Sequence, residues 1–145
     1  MPTIDEGEEP VEININLEKV CFIIVKAREF DAKVDPVEPD PGSNPADDAE
    51  REILEDYADD PTLEELRGAI DLLDDDEMID LIALAWVGRG DFARSEWPSA
   101  RSLAQERHRQ HSAAYLVGMP TLGDLLEEGL AELGYSCSDY DQGHL

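Results

Sequence analysis

The spacing of apolar positions along the chain is that of helices over most of its length. A first helix is predicted from Leu17 to Lys33, with Asn16 placed to cap its start. Its centre, residues 20–25, is apolar on every side, and charged residues flank it at both ends. That arrangement favours a buried central helix over a buried strand.

The residues around this helix lack a helical pattern. Residues 1–10 are rich in Glu and Pro and are expected to form a flexible acidic tail. From Val11 to Leu17, apolar and polar residues alternate, which indicates a short extended arm that leads into the helix. After the helix, the acidic and proline-rich residues 35–44 disfavour regular structure, so a loop is predicted there.

Further helices are predicted downstream. One spans Ala46 to Ala58, and the next begins at Thr62, where Thr62 and Glu65 fit a capping box. Another runs from Glu77 to Val87 and is apolar around nearly its whole circumference. This pattern places it beside the first helix at the centre of the fold. A final helix is bracketed by Thr121 and Gly134.

A long helix is also predicted from Ser95 to Gly118, and two of its polar residues fall on its apolar face. At about 100° per residue, Arg107 and His111 project into the middle of the face that Ala100 and Ala104 define. An unpaired buried charge costs several kcal/mol. Arg107 is therefore expected to reach a carboxylate, a cluster of carbonyls, a partner chain or a bound anion.

Two explanations of these residues stay open. In the first, Arg107 pairs with a core acid such as Asp80 or Glu29, and His111 bonds a backbone carbonyl. In the second, an Arg/His cluster with tryptophan walls binds an anionic ligand. The residues assigned to that ligand site are Arg94, Arg101, Arg107, His108, His111, Trp86 and Trp97. No catalytic residue, metal site or cofactor motif is predicted, since the histidines lack the preceding Glu of bundle metal sites.

The charge distribution singles out the same part of the chain. The chain has 36 acidic residues against 11 Lys and Arg, a net charge of −25, yet the segment from Trp86 to Val117 is locally cationic. Repulsion from the rest of the molecule argues against direct binding of nucleic acid or of an anionic membrane. The acidity fits solubility or a saline habitat, and a DNA mimic whose carboxylates imitate phosphates is a further alternative.

The cysteines and the N-terminus bear on location. Cys21 and Cys137 lie far apart in the sequence and are expected to be reduced thiols. The N-terminus lacks the basic and apolar regions of a signal peptide, and the apolar runs are too short to span a bilayer. These features predict a cytoplasmic protein.

Five segments carry a family resemblance: NINL at 14–17, VCFIIVKAREF at 20–30, ERE at 50–52, AWVGRGD at 85–91 and ERH at 106–108. Over residues 13–134 the chain resembles a small family of uncharacterised proteobacterial proteins known only as a domain of unknown function. The resemblance implies a bacterial cytoplasmic origin and one domain over most of the chain. It implies no activity, cofactor or catalytic residue.

Together these patterns predict an all-α fold, a single compact bundle of five or six helices with the acidic Pro-rich loop between the first two. The expected boundaries are a tail at 1–10, a helical domain at 11–134 and a loosely ordered tail at 135–145. The predicted function is a non-enzymatic interaction or regulatory module, with a protein partner or a second copy bound through the Trp86 to Tyr115 region. The alternative is a small anionic-ligand binder or enzyme that uses the Arg/His cluster.

Overall fold

The structure is a computed structural model and describes residues 9–33, 60–107 and 112–138. These residues form six α-helices and no strand, which confirms the predicted all-α fold. The helices are α1 (Leu17–Lys33), α2 (Pro61–Asp71), α3 (Asp75–Arg89), α4 (Trp97–Arg107), α5 (Ser112–Val117) and α6 (Leu122–Leu133), with a 3₁₀ turn at Arg94–Glu96.

Helix α3 lies at the centre of the bundle, as its sequence predicts. Every residue from Met78 to Val87 is buried, so the helix has no solvent-facing side over that range. It packs against α6 and α4, while α1 packs against α6 and α2. The apolar circumference that singled out this helix is therefore covered by neighbours on several sides.

The caps of the helices follow from short polar residues at their starts. Asn16 caps α1 as predicted, because its side-chain oxygen accepts a hydrogen bond from the Glu18 amide at 2.7 Å. Helix α3 begins with a capping box in which Asp74 and Glu77 each bond the other's backbone amide. At the C-terminus of α6, Gly134 adopts a φ of 97°, the left-handed conformation that favours glycine.

The capping box predicted at Thr62 and Glu65 is wrong. Asp60 caps α2 instead, and its carboxylate accepts from the amides of Thr62 and Leu63 at 2.8 and 3.2 Å. Pro61 occupies the first helical position, where a fixed φ and a missing N–H suit a helix start. The helix therefore begins earlier than the Thr62 signal suggests, and Thr62 itself is buried.

The expected placement of Arg107 in the core is also wrong, because its side chain is exposed. The predicted helix from Ser95 to Gly118 is described as α4 and α5, and residues 108–111 between them lie outside the described residues. Helix α4 packs on α3, whereas α5 packs on α2. A single helical wheel drawn through both segments therefore cannot give the inward face of each.

The expectation of two reduced thiols is wrong as well. Cys21 on α1 and Cys137 after α6 form a disulfide that joins positions 116 residues apart in sequence. Both cysteines are buried in the apolar core. Sequence separation gave no sign of this pairing, because the two ends of the chain meet only after α1 and α6 have packed together.

The arm before α1 lies against the end of α6. The Val11 amide donates to the Leu133 carbonyl at 2.9 Å, and the Tyr135 hydroxyl donates to the Val11 carbonyl at 2.7 Å. Residues 135–138, the first of the predicted C-terminal tail, are thus in contact with the arm and, through Cys137, with α1. The rest of that tail, residues 1–8, the Pro-rich loop at 35–44 and the helix predicted at 46–58 lie outside the described residues.

Candidate functional site

The charged centre of the described structure is Asp80, a fully buried carboxylate on α3. One carboxylate oxygen accepts hydrogen bonds from the backbone amides of Asn14 and Ile15, the latter at 3.0 Å. The other accepts from Nε of Arg101 at 2.6 Å. Three donors around one carboxylate compensate the cost of burying its charge. This centre joins the arm, α3 and α4.

Arg101 therefore occupies the role that the sequence suggested for Arg107. Its side chain is 29% exposed and ends on a carboxylate that is 0% exposed. The acid named as a possible partner, Asp80, is the correct one, but the arginine that reaches it lies six residues earlier on the chain. The direction in which α4 packs on α3 decides which arginine turns inward.

The other residues assigned to an anionic-ligand site differ in what they contact. Arg94 donates to two backbone carbonyls, those of Glu132 at 3.1 Å and of Glu9. Arg107 is exposed at the end of α4, and His108 and His111 lie outside the described residues. The cationic groups that the structure describes thus bind acceptors within the chain or face solvent.

The two tryptophans are part of the core. Trp86 and Trp97 are 5% and 4% exposed. The indole N–H of Trp86 donates to the Tyr115 hydroxyl at 3.0 Å, and its ring stacks on Phe92 with centroids 6.1 Å apart. The predicted surface for self-association includes Trp86, Trp97 and Tyr115. Of these three, only Tyr115 is exposed, at 36%.

A different surface has the features of a binding site. An open groove of about 770 Å³ lies between the first half of α1 and the last half of α2. On α2 it follows Glu65, Gly68, Ala69 and Leu72, the spacing of one face of a helix. On α1 it is lined by two turns that include Phe22. We call this surface the α1–α2 groove.

Apolar side chains stand exposed on both sides of the α1–α2 groove. Leu72 is 85% exposed and Phe22 is 38% exposed, and both line it. Gly68 and Ala69 also line the groove, and we call them its floor; a Cβ atom added to Gly68 would meet no atom within 4 Å. Large exposed apolar residues beside a concave surface are typical of a site that another molecule covers.

The rim of the α1–α2 groove is acidic. Three of the charged residues that line it are acids, Glu18, Glu65 and Asp71, and one is a base, Lys19. Lys19 pairs with Glu77 at 2.9 Å, and Glu65 pairs with Lys26 at 2.9 Å. Among the described residues, Glu18 and Asp71 form no ion pair. The rim therefore presents uncompensated negative charge beside apolar anchors.

Two of the three lysines of the chain connect the helices that form this groove. Lys19, Lys26 and Lys33 recur every seven residues along α1. Lys26 bonds Glu65, and Lys33 bonds Asp60 at the start of α2, so α1 and α2 run in opposite directions. The Lys26 ammonium also lies 5.7 Å from the centroid of the Phe22 ring. The Lys26 ammonium thus lies beside Phe22 at the point where α1 is linked to α2.

Two signals in the sequence could have found the groove. The centre of α1 is apolar on every side, yet Phe22 faces outward because α1 has neighbours on only part of its circumference. Leu72 and Leu73 are adjacent apolar residues that directly follow α2, and of the two only Leu73 is buried. Neither signal says that the two exposed side chains share a surface.

The described residues contain neither a membrane-spanning helix nor a cluster of metal ligands. Among the helices that the structure describes, none is both long enough and apolar enough to cross a bilayer. No group of three or more His, Cys, Asp or Glu side chains among the described residues is placed to hold a metal ion.

Comparison with known proteins gives one match. The model of the family described as "Protein of unknown function (DUF3775)" matches residues 63–135, half of the chain. That range begins within α2 and ends just after α6, so it contains the Asp80–Arg101 pair and one wall of the α1–α2 groove. It is shorter than the predicted resemblance over 13–134 and contains neither cysteine of the disulfide. No curated protein and no solved structure matches the chain.

Proposed function

The chain belongs to the DUF3775 family of proteins of unknown function, and from its geometry we propose that it is a non-enzymatic interaction module that binds a partner protein in the α1–α2 groove. The observation that carries this proposal is the exposure of Leu72 and Phe22 on either side of an open apolar groove. Their apolar surface stays in contact with water unless another molecule covers it.

The groove suits a protein partner better than a small apolar ligand. Ligand pockets enclose most of the surface of the molecule they bind. Leu72 is 85% exposed, so a small molecule beside it would keep much of its own surface in water. A protein segment can cover Leu72 and the groove at once, which supports an interaction surface.

The alternative function, binding of a small anion by the Arg/His cluster, has less support. Arg94 and Arg101 already donate to acceptors within the chain, and binding an anion would require them to give up those bonds. A thermal shift with phosphorylated metabolites that Arg101→Ala abolishes, while the variant stays folded, would move this alternative to first place.

Site-specific photo-crosslinking tests the interaction module. A benzophenone amino acid at position 72 should form adducts with one defined protein in extracts of the organism that carries the gene. The same group at Ser102, an exposed position on α4 away from the groove, should not form them. The adduct should also be lost when Gly68→Trp fills the groove, because space is open above Gly68.

Other results would contradict the proposal. Equal adducts from positions 72 and 102 would mean that the labelled surface binds proteins without preference. Adducts only between copies of this chain would replace the partner by self-association, which the Trp86 to Tyr115 prediction places on another surface.

We propose a cytoplasmic location as predicted from the sequence, and the disulfide supplies its test. Disulfides persist in oxidising compartments and are rare in the reducing cytosol. Cells are quenched in acid and the protein is denatured before its thiols are alkylated, because both cysteines are buried in the native fold. A mass shift on a gel that shows labelled Cys21 and Cys137 would support the cytosolic location. A fully unlabelled protein would place the chain in an oxidising compartment instead.

A further inference from the structure

The α1–α2 groove combines two recognition features that together specify the chemistry of its partner. The first is a pair of apolar side chains, Phe22 and Leu72, that flank a floor made of Gly68 and Ala69. The second is a rim on which Glu18 and Asp71 carry charges that no described residue pairs. A ligand that fits must present apolar groups to the floor and positive charge to the rim.

We propose that the partner segment is a basic amphipathic helix, laid along the groove with its apolar face on Gly68 and its Lys or Arg residues beside Glu18 and Asp71. This inference rests on the interaction module proposed above and names the class of segment that the module binds. The two sides of the groove are helices that run in opposite directions, and a third helix packs against such a pair by placing its side chains between their ridges.

The small residues of the groove floor leave room for an incoming helix to come close. Gly68 has open space where a side chain would stand, and Ala69 beside it is small. Small residues at a contact let helix backbones come close, so an incoming helix can place a leucine-sized side chain over them. Leu72, next along the same face of α2, then covers the side of that anchor.

Charge favours this partner over a second copy of the chain. Two copies would bring together molecules of net charge −25 through a rim that is itself acidic. Like charges brought face to face are unfavourable, whereas a cationic segment is attracted from a distance. The same argument disfavours an acidic helix, and a neutral helix would gain no attraction from the rim.

A binding measurement with a designed probe tests the partner class. The probe is a fluorescent peptide of about 16 residues made of Lys and Leu, with leucines spaced three and four apart so that one helical face is apolar. A scrambled peptide of the same composition and charge is its control. Fluorescence anisotropy with the full chain should show saturable binding of the probe, at least about tenfold tighter than binding of the scrambled peptide.

Two substitutions at one position locate the probe. Gly68→Trp fills the floor and should weaken probe binding at least about tenfold, while Gly68→Ala should leave it within about twofold, since a methyl group fits the open space. On the rim, Asp71→Asn should weaken binding a few-fold. Glu106→Gln, which removes the same charge from an exposed position on α4, should have no comparable effect. Raised salt should weaken binding as the rim charges are screened.

Several outcomes would overturn the inference. Equal binding of probe and scrambled peptide, or of probe to wild type and Gly68→Trp, would reduce the effect to attraction by net charge. A change of oligomeric state in Gly68→Trp, without probe binding to the wild type, would assign the groove to a second copy. Probe binding only after Ile53→Ser and Leu54→Ser would assign it to residues 46–58 of this chain.

The two proposals fail in different ways. If crosslinks from position 72 persist but the probe does not bind, the partner is a protein of another chemistry and only the basic helix is overturned. If neither crosslinks nor probe binding appear, the groove is not an interaction site and both proposals fall.

Discussion

Asp80 shows how one buried side chain can connect distant parts of the chain. Its two oxygens receive donors from the arm before α1 and from Arg101 on α4. A carboxylate that is 0% exposed depends on those donors, because burying an uncompensated charge costs several kcal/mol. Arg101 therefore contributes to stability because its loss would leave the buried Asp80 carboxylate without a charged donor.

We expect Arg101→Ala to lower the free energy of unfolding by about 2–3 kcal/mol, since the Asp80 carboxylate would lose its charged donor while keeping its two amide donors. Arg107→Ala should change it by less than about 0.5 kcal/mol, because that side chain is exposed. Urea denaturation of both variants measures the difference. The same small effect in both would contradict the pairing, and a large effect only in Arg107→Ala would restore the placement expected from the sequence.

Asp31 should make stability depend on pH. The residue is exposed as a whole, yet desolvation of its carboxyl and the nearby Asp124 charge raise its pKa to about 6, while Arg28 opposes them. An Asp in an unfolded chain titrates near about 3.9. Between about pH 4 and 6 the native state thus holds a proton that the unfolded chain has released. The free energy of unfolding falls as pH rises through this window.

Asp31→Asn keeps this position neutral at every pH. We expect it to be more stable than wild type at pH 7 and equal to it below about pH 4, as followed by urea denaturation across the pH range. Glu128→Gln, an exposed acid on α6, measures the general benefit of removing one charge from an acidic chain. A gain from Asp31→Asn that does not exceed this control, or that persists at low pH, would show that the raised pKa is not its cause.

At the scale of helices, the closest contact is the one between α3 and α6. Gly88 on α3 and Gly129 on α6 face each other with nothing but backbone between them. A Cβ atom on Gly88 would stand 1.8 Å from the Leu125 carbonyl oxygen, and one on Gly129 would stand 2.3 Å from that of Leu84. The absence of side chains at these two positions sets the distance between the central helices.

We expect Gly88→Ala and Gly129→Ala each to lower the free energy of unfolding by about 3 kcal/mol, because backbone atoms cannot move aside as a flexible side chain would. Gly68→Ala is the matched control. It lies in a helix with open space around it and should gain about 0.5–1 kcal/mol from helix propensity. Thermal unfolding of the three variants measures the expected loss of stability in the first two and the expected gain in Gly68→Ala. Stabilisation by all three would show that α3 and α6 can separate without cost.

For the whole molecule, the Cys21–Cys137 disulfide links the first helix to the residues after the last one. It acts together with the bonds between the arm and the α6 end, which hold the two ends of the described structure side by side. Closing a loop of that length restricts the unfolded chain more than a short loop would, with an effect that grows slowly with loop length.

Reduction should therefore lower the free energy of unfolding by about 5 kcal/mol relative to the oxidised chain, on the chain-entropy estimate. Thermal unfolding with and without a thiol reductant measures this difference. Cys137→Ala should already unfold at the lower temperature and should not respond to the reductant. A wild-type midpoint that is the same under both conditions would mean that the link contributes nothing to stability.

The sequence alone determined the helical class, the span of α1, the central position of α3 and the extent of α6. These follow from interactions within a few residues, such as capping by Asn16, the apolar circumference of 77–87 and the C-terminal Gly134. Local energies of this kind depend on neighbours along the chain, so a pattern of residues is enough to predict them.

Only the tertiary structure decided which side chains face inward and which residues meet. It turned Arg101 rather than Arg107 toward Asp80, joined Cys21 to Cys137, and placed Phe22 and Leu72 on one groove. Each of these depends on the direction in which one helix crosses another, which is set by contacts such as Gly88 with Gly129. Helical periodicity fixes the angle between residues of one helix, but it does not fix the orientation of that helix against its neighbours.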